Sequence, residues 1–313
     1  MKKWLQENLV CPGCLPRQIS LDLDIEEEEG DEVIDGRLYC PACKTPYAIR
    51  KGVAVLLAGG QQPAAIDSSS YNSRGMLSAY LWSHYSDLQG DPEATGAYQT
   101  WASLLKPSCG IALDIGCSVG RLSFEMSSTH RRTIGIDTSF SFITRARKLL
   151  RQRQLRFDLI VEGLLTEERA CDFPREWNCN RVDFIVADAL ALPFTDRLFS
   201  TVSSINILEK VPNPLRHLRE MDRVLAAQNG RLVFSDPFSW DESVTSPELW
   251  IGGRPDGPFP GRGIDGVRHI LTGQNGIFTP PLKITASGTV PWTIRKTENL
   301  REHITSHFLV GSR

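Results

Sequence analysis

The chain has 313 residues, 41% of them hydrophobic, which is enough for about two domains with a substantial core. Its 35 basic and 37 acidic residues leave a formal charge of −2, so there is no global pull toward nucleic acid or anionic lipid. Met1-Lys2-Lys3 is not followed by a sustained apolar stretch, and the run from Val53 to Ala58 is far short of the roughly 20 residues that span a membrane. The expectation is a cytoplasmic protein with no membrane partner and with thiols kept reduced.

Two knuckles come first, Cys11-Pro12-Gly13-Cys14 and Cys40-Pro41-Ala42-Cys43, with 25 residues between them. Paired CxxC turns offer four thiolates to one tetrahedral Zn²⁺, and residues 1–60 are read as a zinc-ribbon domain whose structural metal supplies much of its stability. The acidic run Glu26 to Glu29 reads as a solvated hairpin tip. Asn8 to Cys14, Gly36 to Cys43 and Tyr47 to Leu57 together resemble the small zinc-ribbon proteins that activate methyltransferases acting on tRNA and translation factors. Ala48 stands where that family has proline. The resemblance implies a stabilising or substrate-gating role for the ribbon.

Gly59 to Ser69 has linker composition. Ser73 to Tyr85 follows with helical spacing and the stripe Met76, Leu77, Tyr80, Leu81, His84 and Tyr85, which either fills the core or reaches the mouth of a site. Residues 61–108 are assigned to this linker and to aromatic-rich capping helices, and 109–313 to a catalytic domain. Within that domain the apolar runs Ile111–Ile115, Thr133–Asp137, Asp183–Ala187, Thr201–Asn206 and Arg231–Ser235 read as strands. They alternate with the helical patterns Ile143, Ala146, Leu150 and Leu215, Leu218, Met221, Leu225. Alternation of this kind predicts an α/β fold, a doubly wound and mostly parallel Rossmann-like sheet with ligands beyond the strands' carboxyl ends. The basic residues Arg145, Arg147, Lys148, Arg151, Arg153 and Arg156 read as a solvated helix face.

The strand ends carry the chemistry. Asp114-Ile115-Gly116-Cys117-Ser118-Val119-Gly120 is a strand, a glycine turn and a helix start, with D-x-G-x-x-x-G in place of the dinucleotide pattern. Asp137-Thr138 ends the second strand, where a carboxylate can accept both ribose hydroxyls. Asp188-Ala189 ends the third, facing an adenine amino group, and the fourth ends at Ser204 to Ile207 with Asn206. Cofactor-binding candidates are therefore Asp114, Gly116, Cys117, Gly120, Asp137, Thr138, Asp188, Ala189 and Asn206.

These motifs, with Leu190-Ala191-Leu192-Pro193-Phe194 and the turn Asn229-Gly230, resemble the class I S-adenosylmethionine (SAM) dependent methyltransferases. Less generic segments, including Tyr80-Leu81-Trp82-Ser83-His84-Tyr85, Ser235-Asp236-Pro237-Phe238-Ser239-Trp240, Trp250-Ile251-Gly252-Gly253 and Pro291-Trp292-Thr293-Ile294-Arg295, look like the mercaptohistidine N-methyltransferase domain of ovothiol biosynthesis. That likeness runs from about Tyr71 onward, with Asp236 and Lys296 departing from it. It implies SAM as cofactor, Asp114 near the methionine ammonium, and transfer to a nitrogen or sulfur of a small mercaptohistidine-like imidazole. Tyr85, Asn206, Trp240 and Arg295 are the catalytic candidates, Arg295 pairing with an acceptor carboxylate and Glu242, Trp250 and Trp292 completing the pocket. A tRNA or protein methyltransferase that docks partners through the ribbon, and a SAM-binding scaffold without turnover, are the alternatives. Self-association as a homo-oligomer is left open. Cys109, Cys117, Cys171 and Cys179 lack CxxC spacing and read as ordinary thiols.

Overall fold

The computed structural model of the chain describes residues 1–60 and 73–313. Most of the expected linker therefore lies outside the described residues, as does the start of the ovothiol-type likeness at Tyr71. The first four strands are β1 (Asp22–Glu29), β2 (Glu32–Tyr39), β3 (Pro46–Arg50) and β4 (Val53–Leu56). The acidic run lies on β1 and its turn, and Arg37 and Arg50 reach across to Glu26. Helices α1 (Arg74–Tyr85) and α2 (Ala97–Ser103) follow, α1 capped by the Ser73 hydroxyl accepting from the Met76 N–H.

The alternating region then unfolds as expected. It runs β5 (Ser108–Ile115), α3 (Arg121–Ser127), β6 (His130–Asp137), α4 (Phe140–Gln152) and, after a hairpin of β7 (Gln154–Glu162) and β8 (Leu165–Asp172), β9 (Val182–Ala187). It continues through β10 (Thr201–Ile205), α5 (Pro214–Val224), β11 (Arg231–Asp236) and α6 (Gly263–Leu271), and closes with the antiparallel pair β12 (Lys283–Arg295) and β13 (Arg301–Ser312). Each of the five strands read from the sequence is present within a few residues. The β7–β8 and β12–β13 hairpins were not expected: their exposed stretches break the buried-strand pattern.

All strands except β7 and β8 form one sheet in the order β1-β2-β3-β4-β9-β6-β5-β10-β11-β13-β12. The ribbon is thus no appendage. β4 pairs in parallel with β9, Val55 opposite Val186 and Leu56 opposite Ala187, and β4 is buried along its length. From β9 to β11 the neighbours are parallel, and β13 and β12 add antiparallel edges. This is the Rossmann-like arrangement, extended on one side by the ribbon. One apolar core runs through both parts, with Leu38, Tyr47, Ile49 and Leu56 joining Ile134, Ile136, Ile185 and Phe194.

An ion network locks that junction. Arg147 on α4 is buried and pairs with Asp183 on β9 and with Glu32 on β2 at 2.8 Å, and Arg151 also reaches Glu32 at 3.1 Å. The Asp183 carboxylate also accepts the Lys2 N–H at 2.6 Å. The expected solvated basic face holds for Lys148, Arg151, Arg153 and Arg156, which are exposed, but not for Arg147, which is spent on a buried pair where the ribbon covers this side of α4. Removing one member of such a pair strands the other. Asp183→Ala should therefore cost about 3–5 kcal/mol of stability by denaturant unfolding, against no more than about 1 kcal/mol for the exposed pair partner Glu168→Ala. A loss for Asp183→Ala within the surface range would show that the junction does not depend on this network.

Candidate functional site

The parallel strands end on one side of the sheet, and there they open onto a cleft of about 900 Å³, at the upper end of the roughly 300–1,000 Å³ usual for ligand sites. Its floor is the turn after β5. Gly116 takes φ +70°, and a Cβ there would lie 1.8 Å from Ile207 Cδ1, so only glycine lets this turn pass under the β10 loop. Gly120 (φ +87°) begins α3 against Phe184, and Cys117 donates its N–H to Ile136 while its buried thiol turns to the Ser118 carbonyl.

Asp137 closes β6 beside this turn. One of its oxygens accepts the Ser118 N–H at 3.0 Å and the other the Ser139 N–H at 2.8 Å. Each oxygen keeps a lone-pair direction for a ligand hydroxyl. Burial pushes its carboxyl above the usual range, against the pull of those backbone donors. Asp188 ends β9 and orders its own turn by accepting the Leu190 N–H at 2.8 Å. Behind Ala189, the buried His217 imidazole contacts the Ala189 carbonyl and the Ser204 hydroxyl, and burial lowers its pKa to about 4, keeping it neutral. Asn206 follows β10 with φ +58°.

The cleft brings together Gly116, Asp137, Thr138, Asp188, Ala189 and Asn206 of the expected cofactor set. Asp114, Cys117 and Gly120 stand behind the wall. Asp114 is buried, its carboxylate held by the Ser123 and Ser203 hydroxyls at 2.7 Å each, and burial raises its pKa to about 6. It braces the loop; it does not face the cleft.

The acceptor-side expectations fare differently. Tyr85 is fully buried and donates to the Val119 carbonyl at 2.8 Å. Trp240 stacks on Trp250 at 5.8 Å, away from the cleft, and Trp250 donates to the Thr245 carbonyl. Glu242 is exposed elsewhere. Arg295 turns to Glu167 on β8 and to the Thr297 carbonyl. Of the expected acceptor residues, Asn206 and Trp292 line the cleft.

What replaces the others follows from two periodicities. On α1, Met76, Tyr80 and His84 recur every four residues and present one face. On β12, Trp292 and Ile294 are two apart and present the same side of the strand, and Lys296 in the turn just beyond it also lines the cleft. Arg295 is odd in that count and points away. Helix and strand meet along these stripes: Tyr80 lies edge-on to Trp292 at 6.2 Å, and Lys296 Nζ lies 3.7 Å from Met76 Sδ. Arg121 fixes the end of α1 by donating to the His84 carbonyl at 2.8 Å and pairing with Asp87.

At the ribbon's end the four sulfurs of Cys11, Cys14, Cys40 and Cys43 lie within 4.8 Å of one another. Cys11–Cys43 is 3.6 Å and Cys14–Cys40 is 3.8 Å, close to the roughly 3.8 Å edge of a tetrahedron with Zn–S bonds of about 2.3 Å. The donor set and its size fit zinc.

Residues 113–234 match the family model described as a methyltransferase domain. The chain carries a SAM-dependent methyltransferase domain. Solved structures with a similar arrangement include a SAM-dependent methyltransferase from Methanosarcina mazei, 18% identical over 67% of this chain and 95% of that one, with a TM-score of 0.43. A complex of the Trm112 methyltransferase activator with a methyltransferase from Haloferax volcanii is 14% identical over 75% and 96%, at 0.41. Phosphoethanolamine N-methyltransferase 2 from Haemonchus contortus is 15% identical over 61% and 37%, also at 0.41. Scores this low carry no weight for acceptor or partner.

Asp137→Ala tests the cofactor side. Removing a charged acceptor of two hydroxyls should weaken SAM binding by about 1.5–3 kcal/mol, roughly ten- to hundredfold in Kd by calorimetry. Equal affinity in mutant and wild type would take Asp137 out of the site.

Proposed function

We propose that the protein methylates a nitrogen or sulfur of a small, planar, mercaptohistidine-like acceptor, with SAM bound across the ends of β5, β6, β9 and β10 and a structural zinc in the ribbon. One observation carries the reading. Gly116, Asp137, Thr138, Asp188, Ala189 and Asn206, at the ends of four adjacent parallel strands, together line one cleft of about 900 Å³. In a parallel α/β sheet a ligand binds beyond the carboxyl ends of the strands, which is where these residues stand.

Bound SAM supplies an electrophilic methyl on a sulfonium. The protein's own residues orient and exclude. Asp137 and Asp188 hold the nucleoside by its ribose and adenine edges, Ser118 and Asn206 meet the amino-acid end, and the stripes of α1 and β12 wall a flat ring and keep water out. In-line transfer gains most from such positioning. A heteroaromatic nitrogen or a thiolate is reactive near neutral pH and needs a proton acceptor at most. The reading keeps the protein in the cytoplasm, where zinc-binding thiols stay reduced.

Two measurements test this. Purified protein incubated with methyl-labelled SAM and size-fractionated cell extract should label the small-molecule fraction; label confined to RNA or protein would overturn the small acceptor. Chelation, or Cys40→Ser, should lower the melting temperature and weaken SAM binding together, because loss of the ribbon bares β9 beside Asp188. An unchanged melt after complete metal removal would rule out a structural metal.

A further inference from the structure

We propose that the protein has a second ligand site, a basic groove between α1, α4 and β7, that binds a small anion of two or more charges such as a phosphate monoester or a diphosphate. The site is separate from the cleft, and the proposal goes beyond the methyltransferase reading without resting on it.

The groove lies where these three elements meet. Leu77 and Leu81 of α1, Arg145 and Lys148 of α4 and Phe157 of β7 line a hollow of about 370 Å³, within the size range of small-ligand sites. Helical spacing explains the arrangement. On α1 the stripe Met76, Tyr80 and His84 walls the cleft, so Leu77 and Leu81, one position further on, turn to a different flank. On α4 the stripe Arg145, Lys148 and Gln152 opens onto the groove, while Arg147 and Arg151 lie toward the ribbon and pair with Glu32.

Four cations converge on the hollow: Arg74 at the start of α1, Arg145 and Lys148 on α4, and Arg156 on β7. Among the described residues Arg74, Arg145 and Lys148 have no ion-pair partner. Arg156 has one, Glu168 at 3.8 Å, and both are largely exposed, so that pair is weak. Asp158 is the second carboxylate of the groove, and the balance is four cations against two anions. Arg145 is half-buried and its guanidinium donates to the Arg156 carbonyl. Burial lowers its pKa, and the nearby Asp158 only partly offsets this. A cation desolvated in this way gains from an anion brought to it. A basic face on one helix is simply solvated; cations that converge from three elements on one hollow suit a compact anion of higher charge. The planar forks of the three arginines can bond several phosphate oxygens at once. With a formal charge of −2 the chain has no overall pull toward nucleic acid, so the ligand is a small molecule.

The test uses the full-length protein saturated with S-adenosylhomocysteine, so that the cleft is occupied. Calorimetric titration with sodium pyrophosphate is compared with sodium acetate, a singly charged anion. Pyrophosphate should bind at one site per chain and roughly tenfold or more tightly than acetate, as expected when charge-assisted bonds are added. Lys148→Glu should weaken pyrophosphate by a similar factor, and Glu168→Gln, which removes a competing carboxylate, should strengthen it. Arg219→Glu makes the same charge change on α5, where the side chain is exposed and outside both cavities. It should leave pyrophosphate binding at the wild-type value. An unchanged melting temperature and S-adenosylhomocysteine affinity in Lys148→Glu show that this variant folds. No pyrophosphate binding by the wild type, equal binding of the two anions, or equal losses in Lys148→Glu and Arg219→Glu overturns the site. Binding of a short single-stranded RNA that pyrophosphate does not displace would assign the groove to nucleic acid and overturn the small ligand.

Discussion

The structure depends on a strand pairing that crosses from the cysteine-rich N-terminus to the catalytic sheet. β4 lies parallel to β9, with Val55 and Leu56 opposite Val186 and Ala187, and Asp188 follows directly. Hydrogen bonds of the ladder, the apolar core on either side and the Arg147 pairs to Asp183 and Glu32 all converge there. A buried ion pair of this kind contributes little net stability over an apolar contact, yet it tolerates only one register and one partner. The junction therefore fixes where the third strand of the catalytic sheet ends, and with it the position of Asp188.

From that fixed edge the site is assembled by geometry that each element supplies locally. Glycine at Gly116 lets the β5 turn pass beneath Ile207. Asp137 ties the turn to β6 by taking the Ser118 N–H. Asp114, which would be costly as a buried charge, is satisfied by two hydroxyls and serves as a brace. On the opposite wall, Met76, Tyr80 and His84 of α1 and Trp292 and Ile294 of β12 line the same cleft.

The strands around the cleft were legible because each is a short apolar run punctuated by a carboxylate or a glycine turn, and the parallel sheet then dictates that those ends face one side. The cysteine knuckles were legible for a similar reason, since spacing alone brings pairs of thiolates together. The wall built by α1 and β12 was not. Trp292 and Arg295 looked like one motif, but they sit three apart on a strand and so point to opposite faces; without knowing that 283–295 is a strand, nothing in the sequence tells which of the two meets the cleft. Tyr85 and Trp240 failed differently. The Tyr85 hydroxyl donates to the Val119 carbonyl and the Trp240 ring stacks on Trp250, and nothing local distinguishes an aromatic packed in this way from a pocket wall. Arg147 read as solvated because the element that covers its helix comes from more than a hundred residues upstream.

The ribbon also changes what the sheet shows to other molecules. An open parallel sheet would expose the bare backbone of its outer strand. Here the outermost strand on that side is β1, whose eight residues include Asp22, Asp24 and Glu26 to Glu29. Lys3 and the exposed Arg37 and Arg50 pair with some of these charges, and the remainder have no ion-pair partner among the described residues. A second copy approaching edge to edge would set carboxylate against carboxylate, and like charges in register are repulsive. The acidic hairpin thus works as a terminator: it lets an eleven-stranded sheet stop growing.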